Sequence, residues 1–290
     1  MAETASQSQN MFGDKLYQTR ARVALPILVR QAASRKPIFY KALAAELGMP
    51  NPRNLNYVLG CVGTTLQELS HKRGWDCGEI PHIQSLVINQ QRRLPGEGFE
   101  GFLAERMKGY LGLSLADKRA YLDAYWHEVY AYPYWRDVLE ACELAPASGG
   151  AADIVEKAKT GKSGGGGEGE EHRALKEYVA NNPSVVGLPS NARAAKEAPL
   201  PSGDKIDVLF DAPKRLVAVE VKSKISNDVD LTRGLFQCVK YRAVMEAERG
   251  FKGARYSIDA ALVTGRAFPE SLRSLQNSLG VQVVEVLNLP

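Results

Sequence analysis

The stretch Leu200 to Lys224, LPSGDKIDVLFDAPKRLVAVEVKSK, decides how the C-terminal part of this chain is read. Ser202-Gly203-Asp204 reads as a turn and Ile206 to Phe210 as a strand; Ala212-Pro213-Lys214 is a second turn and Leu216 to Ser223 a second strand. Together they predict a β-hairpin or a close strand pair. Successive side chains of a strand face opposite ways, so Ala218, Glu220 and Lys222 share one face and Val217, Val219 and Val221 the other. Two charges inside so apolar a strand are unusual. Asp207, near the start of the first strand, is placed to point back at Glu220.

The grouping has a direct chemical logic. Two carboxylates a few ångströms apart repel each other unless a cation sits between them. Oxygen ligands of this kind suit Mg²⁺, with Mn²⁺ as a substitute, ions that keep waters able to serve as nucleophiles. The backbone carbonyl of Val221, between the two charged side chains, offers a third protein oxygen. Lys222 is then the group that holds or helps to deprotonate the attacking water, or stabilises charge in the transition state. An E-x-K triplet alone is commonly an exposed charge pair; with an upstream Asp on a neighbouring strand it is far more selective.

Working outward, EEHRALKEYVANNP predicts a helix with Leu175, Tyr178 and Val179 on one side, stopped by Asn182-Pro183. Glu171 lies four residues before Leu175, at the edge of that face, where a carboxylate needs a metal or a cation. The alternative is an acidic first turn, shared with Glu168 and Glu170, that complements the helix dipole. Downstream, Asp230 to about Arg249 predicts a helix that lines up Arg233, Gln237, Tyr241 and Val244. Gln237 and Tyr241 are then suited to orient the lysine or, with Arg233, to meet a phosphate backbone. Strands at Ala260–Thr264 and Val281–Leu287, with a helix from Phe268 to Leu279 between them, close the chain.

This pattern resembles the PD-(D/E)XK nucleases, the restriction-endonuclease-like superfamily. Asp207 matches the first acidic position, Glu220-Val221-Lys222 the E-x-K, and Gln237 to Tyr241 (QCVKY) the Q-x-x-x-Y found in a subset. Ile206 stands where the family name has proline. The resemblance covers roughly residues 170 to 290. It implies an α/β domain, a mixed central sheet flanked by helices, and a Mg²⁺-dependent deoxyribonuclease, an endonuclease, of the kind found in restriction, phage defence or repair. It also implies metal ligation by Asp207, Glu220 and the Val221 carbonyl, with Glu171 as the acidic residue of the first helix. Double-strand cleavage by such a site often needs a second copy of the chain. The rival reading is a non-catalytic, nucleic-acid-binding or regulatory protein that keeps the nuclease scaffold.

The remainder reads as a separate unit. PASGGAADIVEKAKTGKSGGGGEG, residues 146–169, has too little apolar surface to offset its ordering entropy and predicts a flexible linker. Before it, residues 1–145 are mainly helical: Leu16–Arg35 with Pro26 inside, Ile38–Leu47, Arg53–Arg73, a strand-like run Ile83–Asn89, a basic turn Gln90–Gly98, and an aromatic-rich helical region Leu115–Leu144. That order resembles a winged helix-turn-helix. Arg53, Asn54 and Asn56, opening the third helix, and Arg92 and Arg93, in the basic turn, are candidates for DNA contact; the domain also suits docking of a protein partner. The net charge is +4; residues 1–110 carry +5 and the remainder −1, so attraction to a polyanion belongs mainly here. Cys61, Cys77, Cys142 and Cys238 show neither zinc spacing nor a disulfide pattern. No signal peptide or membrane-length apolar run is visible, which predicts a cytoplasmic protein.

Overall fold

The computed structural model describes residues 8–147 and 169–288. The chain forms two compact units, Met1–Ser148 and Gly149–Pro290. Most of the expected linker, residues 148–168, lies outside the described residues.

The N-terminal unit is helical: α1 (Leu16–Ser34), α2 (Tyr40–Glu46), α3 (Leu55–Ser70), α4 (Glu97–Arg106), α5 (Leu115–Ala131) and α6 (Trp135–Ala141). Leu25, Leu28, Leu43, Leu55, Val62 and Leu86 lie in one buried core. A bidentate pair ties α1 to α2, with Arg30 Nη1 at 2.5 Å and Nη2 at 2.9 Å from the two Glu46 oxygens. Pro26 does not divide α1, which runs through it with the proline buried.

The strand expected over Ile83–Asn89 is mostly a 3₁₀ turn, Ile83–Leu86. Only β2 (Val87–Ile88) is extended, and it pairs in parallel with β1 (Ile38–Phe39). The physical reason is that α5 side chains bond backbone groups in the segment and just before it. His82 N donates to the Tyr125 hydroxyl at 2.9 Å, and Trp126 Nε1 donates to the Ser85 carbonyl at 3.1 Å. Among the aromatics of that region, Tyr125, Trp126 and Trp135 are core residues, as packing predicts.

The C-terminal unit carries a five-stranded mixed sheet. Its elements are α7 (Glu170–Asn181), β3 (Arg193–Pro199), β4 (Lys205–Ala212), β5 (Arg215–Lys222), α8 (Asp228–Lys252), β6 (Ser257–Thr264), α9 (Arg273–Leu279) and β7 (Gln282–Glu285). Strands run in the order β3-β4-β5-β6-β7. The pairs β3–β4 and β4–β5 are antiparallel, and β5–β6 and β6–β7 parallel. Alternation along the strands gives the sheet two apolar faces. Val208, Phe210, Val217, Val219 and Val221 pack with Leu175 and Val179 of α7. Ala218, Ala260 and Leu262 pack with Leu231, Leu235, Cys238 and Tyr241 of α8.

Local sequence sets the edges of these elements. The β4–β5 turn has Pro213 at its first central position, with φ fixed by the ring, and Lys214 at φ 59° at the second. Helix α8 starts in a reciprocal capping box: Asn227 Oδ1 accepts from Asp230 N at 3.0 Å and Asp230 Oδ2 from Asn227 N at 3.2 Å. It ends at Gly253, φ 62°, where a residue without Cβ turns the chain at no steric cost. Strand β3, which the sequence did not announce, is an exposed edge strand with only Ala198 buried.

Candidate active site

The E-x-K strand sends its two charges where alternation predicts. Glu220 is 3% exposed, beneath α8. Its Oε1 accepts from Lys222 Nζ at 2.6 Å, and its Oε2 from the Tyr241 hydroxyl at 2.8 Å. Lys222 Nζ also faces Gln237 Oε1 at 3.4 Å. One turn of α8 therefore holds both ends of the pair, because Gln237 and Tyr241 are four residues apart and share a face. Room for the lysine comes from Gly234. A Cβ there would stand 2.8 Å from Leu262 Cδ1 and 3.3 Å from Lys222 Cε.

Asp207 occupies a break in the sheet. The β4–β5 ladder ends at Val208↔Val219, one residue short of it. The β3–β4 ladder skips its would-be partner Glu197, which has φ 53°. The chain opens at this point into a fork between β4 and β5, and the Asp207 carboxylate accepts from Val221 N at 2.8 Å. Burial raises the Asp207 pKa above the ordinary carboxylate value, against the Val221 hydrogen bond and the nearby His172 and Lys222 charges. Glu220 is raised by the same loss of hydration; Lys222 counteracts this and Asp207 adds to it. Tyr241 is pushed far above its usual value, first by burial and then by Glu220, and so stays a neutral donor.

His172 was not singled out from the sequence. From α7 its Nε2 lies 2.9 Å from the Val221 carbonyl and 3.8 Å from Asp207 Oδ2. The signal was present: His172, Leu175 and Val179 stand at i, i+3 and i+7, so the imidazole shares the buried face of its helix. Glu171, one residue earlier, goes elsewhere. Its Oε1 pairs with Lys224 Nζ at 2.6 Å, and it joins neither Asp207 nor Glu220. The Val221 carbonyl expected among the metal ligands is the one that faces His172.

Among the described residues no group of three or more His, Cys, Asp and Glu side chains is close enough to hold a metal ion. Arg233 lies on the α8 stripe, 3.5 Å from Asp230 Oδ1. In the N-terminal unit Arg53, Asn54 and Asn56 are exposed where α3 begins. Arg92 and Arg93 are engaged within the fold. Arg92 Nη2 pairs with Glu100 Oε1 at 2.9 Å, and the Arg93 guanidinium stacks 4.9 Å above the Phe39 ring. Their basic turn is closed on Asn89, whose Oδ1 accepts from Gln91 N and Arg92 N. The four cysteines are free, and no helix among the described residues is long and apolar enough to cross a membrane.

Comparison with protein-family models, with curated proteins and with solved structures finds no match for this chain.

Proposed function

We propose that the C-terminal unit is a restriction-endonuclease-like domain that hydrolyses phosphodiester bonds in DNA with Mg²⁺ or Mn²⁺. The observation that carries the reading is the fork itself. Two carboxylates from adjacent strands, both disfavoured in their charged forms by burial, sit beside one lysine held on Glu220 at 2.6 Å. The order helix, three strands, helix, strand (α7-β3β4β5-α8-β6) supports it.

Asp207 and Glu220 fit a divalent cation by their chemistry, since each gains most from a positive charge that burial denies it. They are the residues that would hold the ion, with the His172 imidazole and the Val221 carbonyl beside them. When bound, the ion supplies Lewis-acid stabilisation of phosphate charge and a lowered pKa for its waters. The chain's own residues do the rest. Lys222 presents an ammonium next to Glu220, where it stabilises the extra negative charge of the transition state or holds the attacking water. Gln237 limits where that ammonium swings. Tyr241 orients the Glu220 carboxylate, leaving Asp207 Oδ1 as the oxygen not committed to Val221 N.

The test is cleavage of single- and double-stranded DNA with and without Mg²⁺. Asp207→Ala, Glu220→Ala and Lys222→Ala should each abolish cleavage and leave the fold and DNA binding in place. No hydrolysis by folded wild-type protein across these substrates sinks the reading. One observation favours the rival, a non-catalytic scaffold. Both Glu220 oxygens and the Val221 carbonyl already have partners, so a site that takes up no Mn²⁺ by calorimetry would support it.

For the N-terminal unit we propose DNA contact through Arg53, Asn54 and Asn56, supported by their exposure at the start of α3. Arg53→Glu should weaken binding and flatten its salt dependence by about one phosphate contact. Arg92→Glu should act mainly on stability, because that arginine is the partner of Glu100. Equal loss of DNA affinity in both variants would return the basic turn to the interface; an unchanged titration with Arg53→Glu would favour a protein partner.

A further inference from the structure

Helix α7 buries a lysine on the face that meets the sheet. His172, Leu175, Lys176 and Val179 stand at i, i+3, i+4 and i+7, so Lys176 takes a place where an amphipathic helix carries an apolar residue. It is 5% exposed. A lysine is rarely so buried without a partner, and its Nζ stands 2.5 Å from Glu197 Oε1. Neither residue has a part in the hydrolysis proposed above.

Glu197 lies where β3 and β4 stop obeying alternation. Neighbours on a regular strand face opposite ways, yet Lys196 pairs with Glu177 and Glu197 with Lys176, both of α7. On the facing strand, Ile206 packs in the α8 cluster and Val208 in the α7 cluster, although a regular strand would send both to one face. The phase of both strands therefore changes at one level, Glu197 opposite Asp207, the pair that the ladder omits. The left-handed backbone of Glu197, φ 53°, is where the change is made. A residue with a Cβ is disfavoured there, and such a conformation persists only where its surroundings hold it. The same change of phase frees Asp207. At the crossover its carboxylate belongs to neither apolar face and accepts instead from Val221 N, at 2.8 Å on the neighbouring strand.

We propose that Lys176 and Glu197 are positioning residues: their ion pair holds Glu197 in the left-handed conformation and so keeps Asp207 aimed at the strand that carries Glu220 and Lys222. The proposal rests on the nuclease reading for its consequence in cleavage, and on the strand geometry alone for its consequence at Asp207.

The experiment compares Lys176→Met, Glu197→Ala and the double variant Lys176→Met/Glu197→Gly in the full chain. Amide exchange by NMR, without metal, reads the Asp207–Val221 hydrogen bond directly. The internal reference is the amide of Val219 on the same strand, where β5 pairs with Val208. In both single variants the Val221 amide should exchange about tenfold faster relative to Val219, the order of magnitude by which left-handed backbone disfavours a residue with a Cβ. Glycine adopts that backbone freely, so the double variant should regain protection although it lacks the ion pair. A general loss of stability speeds both amides together and does not give this pattern. Cleavage should follow, with kcat down about tenfold in Lys176→Met, KM for DNA unchanged, and kcat recovered in the double variant.

Unchanged Val221 exchange in Lys176→Met overturns the proposal. So does a defect that glycine fails to rescue, which would place the effect in the charge of the lysine. Wild-type cleavage that Lys176→Met leaves intact overturns the positioning role in the reaction and keeps the nuclease. The expected exchange pattern in a protein that cleaves nothing keeps the positioning of Asp207 and removes the nuclease.

Discussion

Tyr241→Phe isolates one atom of the site and has a calculable, pH-dependent consequence. The hydroxyl stands 2.8 Å from Glu220 Oε2 and 3.0 Å from the Lys205 carbonyl, and the ring lies in the α8 core. Phenylalanine keeps the ring and creates no cavity of note. What is lost is a donor to a buried carboxylate, about 1.5–3 kcal/mol when Glu220 is charged and about 0.5–1.5 when it is protonated. The sign with pH follows from the raised Glu220 pKa. A carboxyl raised by folding contributes its full stability below its unfolded value, about 4.3, and loses it as pH rises through the folded value. Tyr241 counters that rise, so its removal lifts the folded pKa further and steepens the loss. Calorimetry in chelator should show a drop on the order of 10 °C at pH 8 and a clearly smaller one near pH 4.5. All three tryptophans, Trp75, Trp126 and Trp135, are in the N-terminal unit, so their fluorescence reports that unit and should not shift. Equal destabilisation at both pH values would refute the claim that this hydroxyl compensates the buried carboxylate.

Gly234→Ala trades about 1 kcal/mol of helix propensity against an overpacked contact on Leu262 and Lys222, so melting should move by only a few degrees. Cleavage should nonetheless fall by about 10- to 100-fold, since the lysine is displaced; unchanged cleavage in the folded variant removes Gly234 from the positioning of Lys222. Lys222→Met removes the cation that now neutralises Glu220. It should bind Mn²⁺ about tenfold tighter at pH 8 while cleaving nothing, because metal and ammonium compete for the same carboxylate; weaker binding by calorimetry would mean that Lys222 supports the ion. Lys214→Gly should stabilise the C-terminal unit by up to about 1 kcal/mol, since Lys214 sits at φ 59° in an exposed turn. A loss of stability in urea unfolding would show that the turn does not carry that strain.

The sequence displayed those parts of the site that a period of two or of 3.6 residues can display. Glu220 and Lys222 stood out because alternation inside LVAVEVKS puts charges where only apolar groups belong, and Gln237 and Tyr241 because both fall on one helical stripe. Legibility failed where tertiary partners set the structure. Strand β3 carries RAAKEAP, with no apolar alternation, and is extended only because β4 supplies hydrogen bonds along one edge. Ile83 to Leu86 has the composition of a strand, yet it forms a 3₁₀ turn, with the Trp126 indole of α5 on the Ser85 carbonyl and the Tyr125 hydroxyl on the His82 N–H just before it. The contacts of Arg92 with Glu100 and of Arg93 with Phe39 were invisible to a linear reading, because each partner comes from another part of the fold. The neighbours Glu171 and His172 make the same point within a single turn of helix. The carboxylate, the better metal ligand by residue type, swings out to Lys224. The imidazole, overlooked, lies on the face that meets the sheet and reaches the carbonyl of Val221 and the edge of Asp207. Neighbours on a helix point about 100° apart, so only one of the two can face the fork. The apolar residues three and seven positions on, Leu175 and Val179, select the histidine.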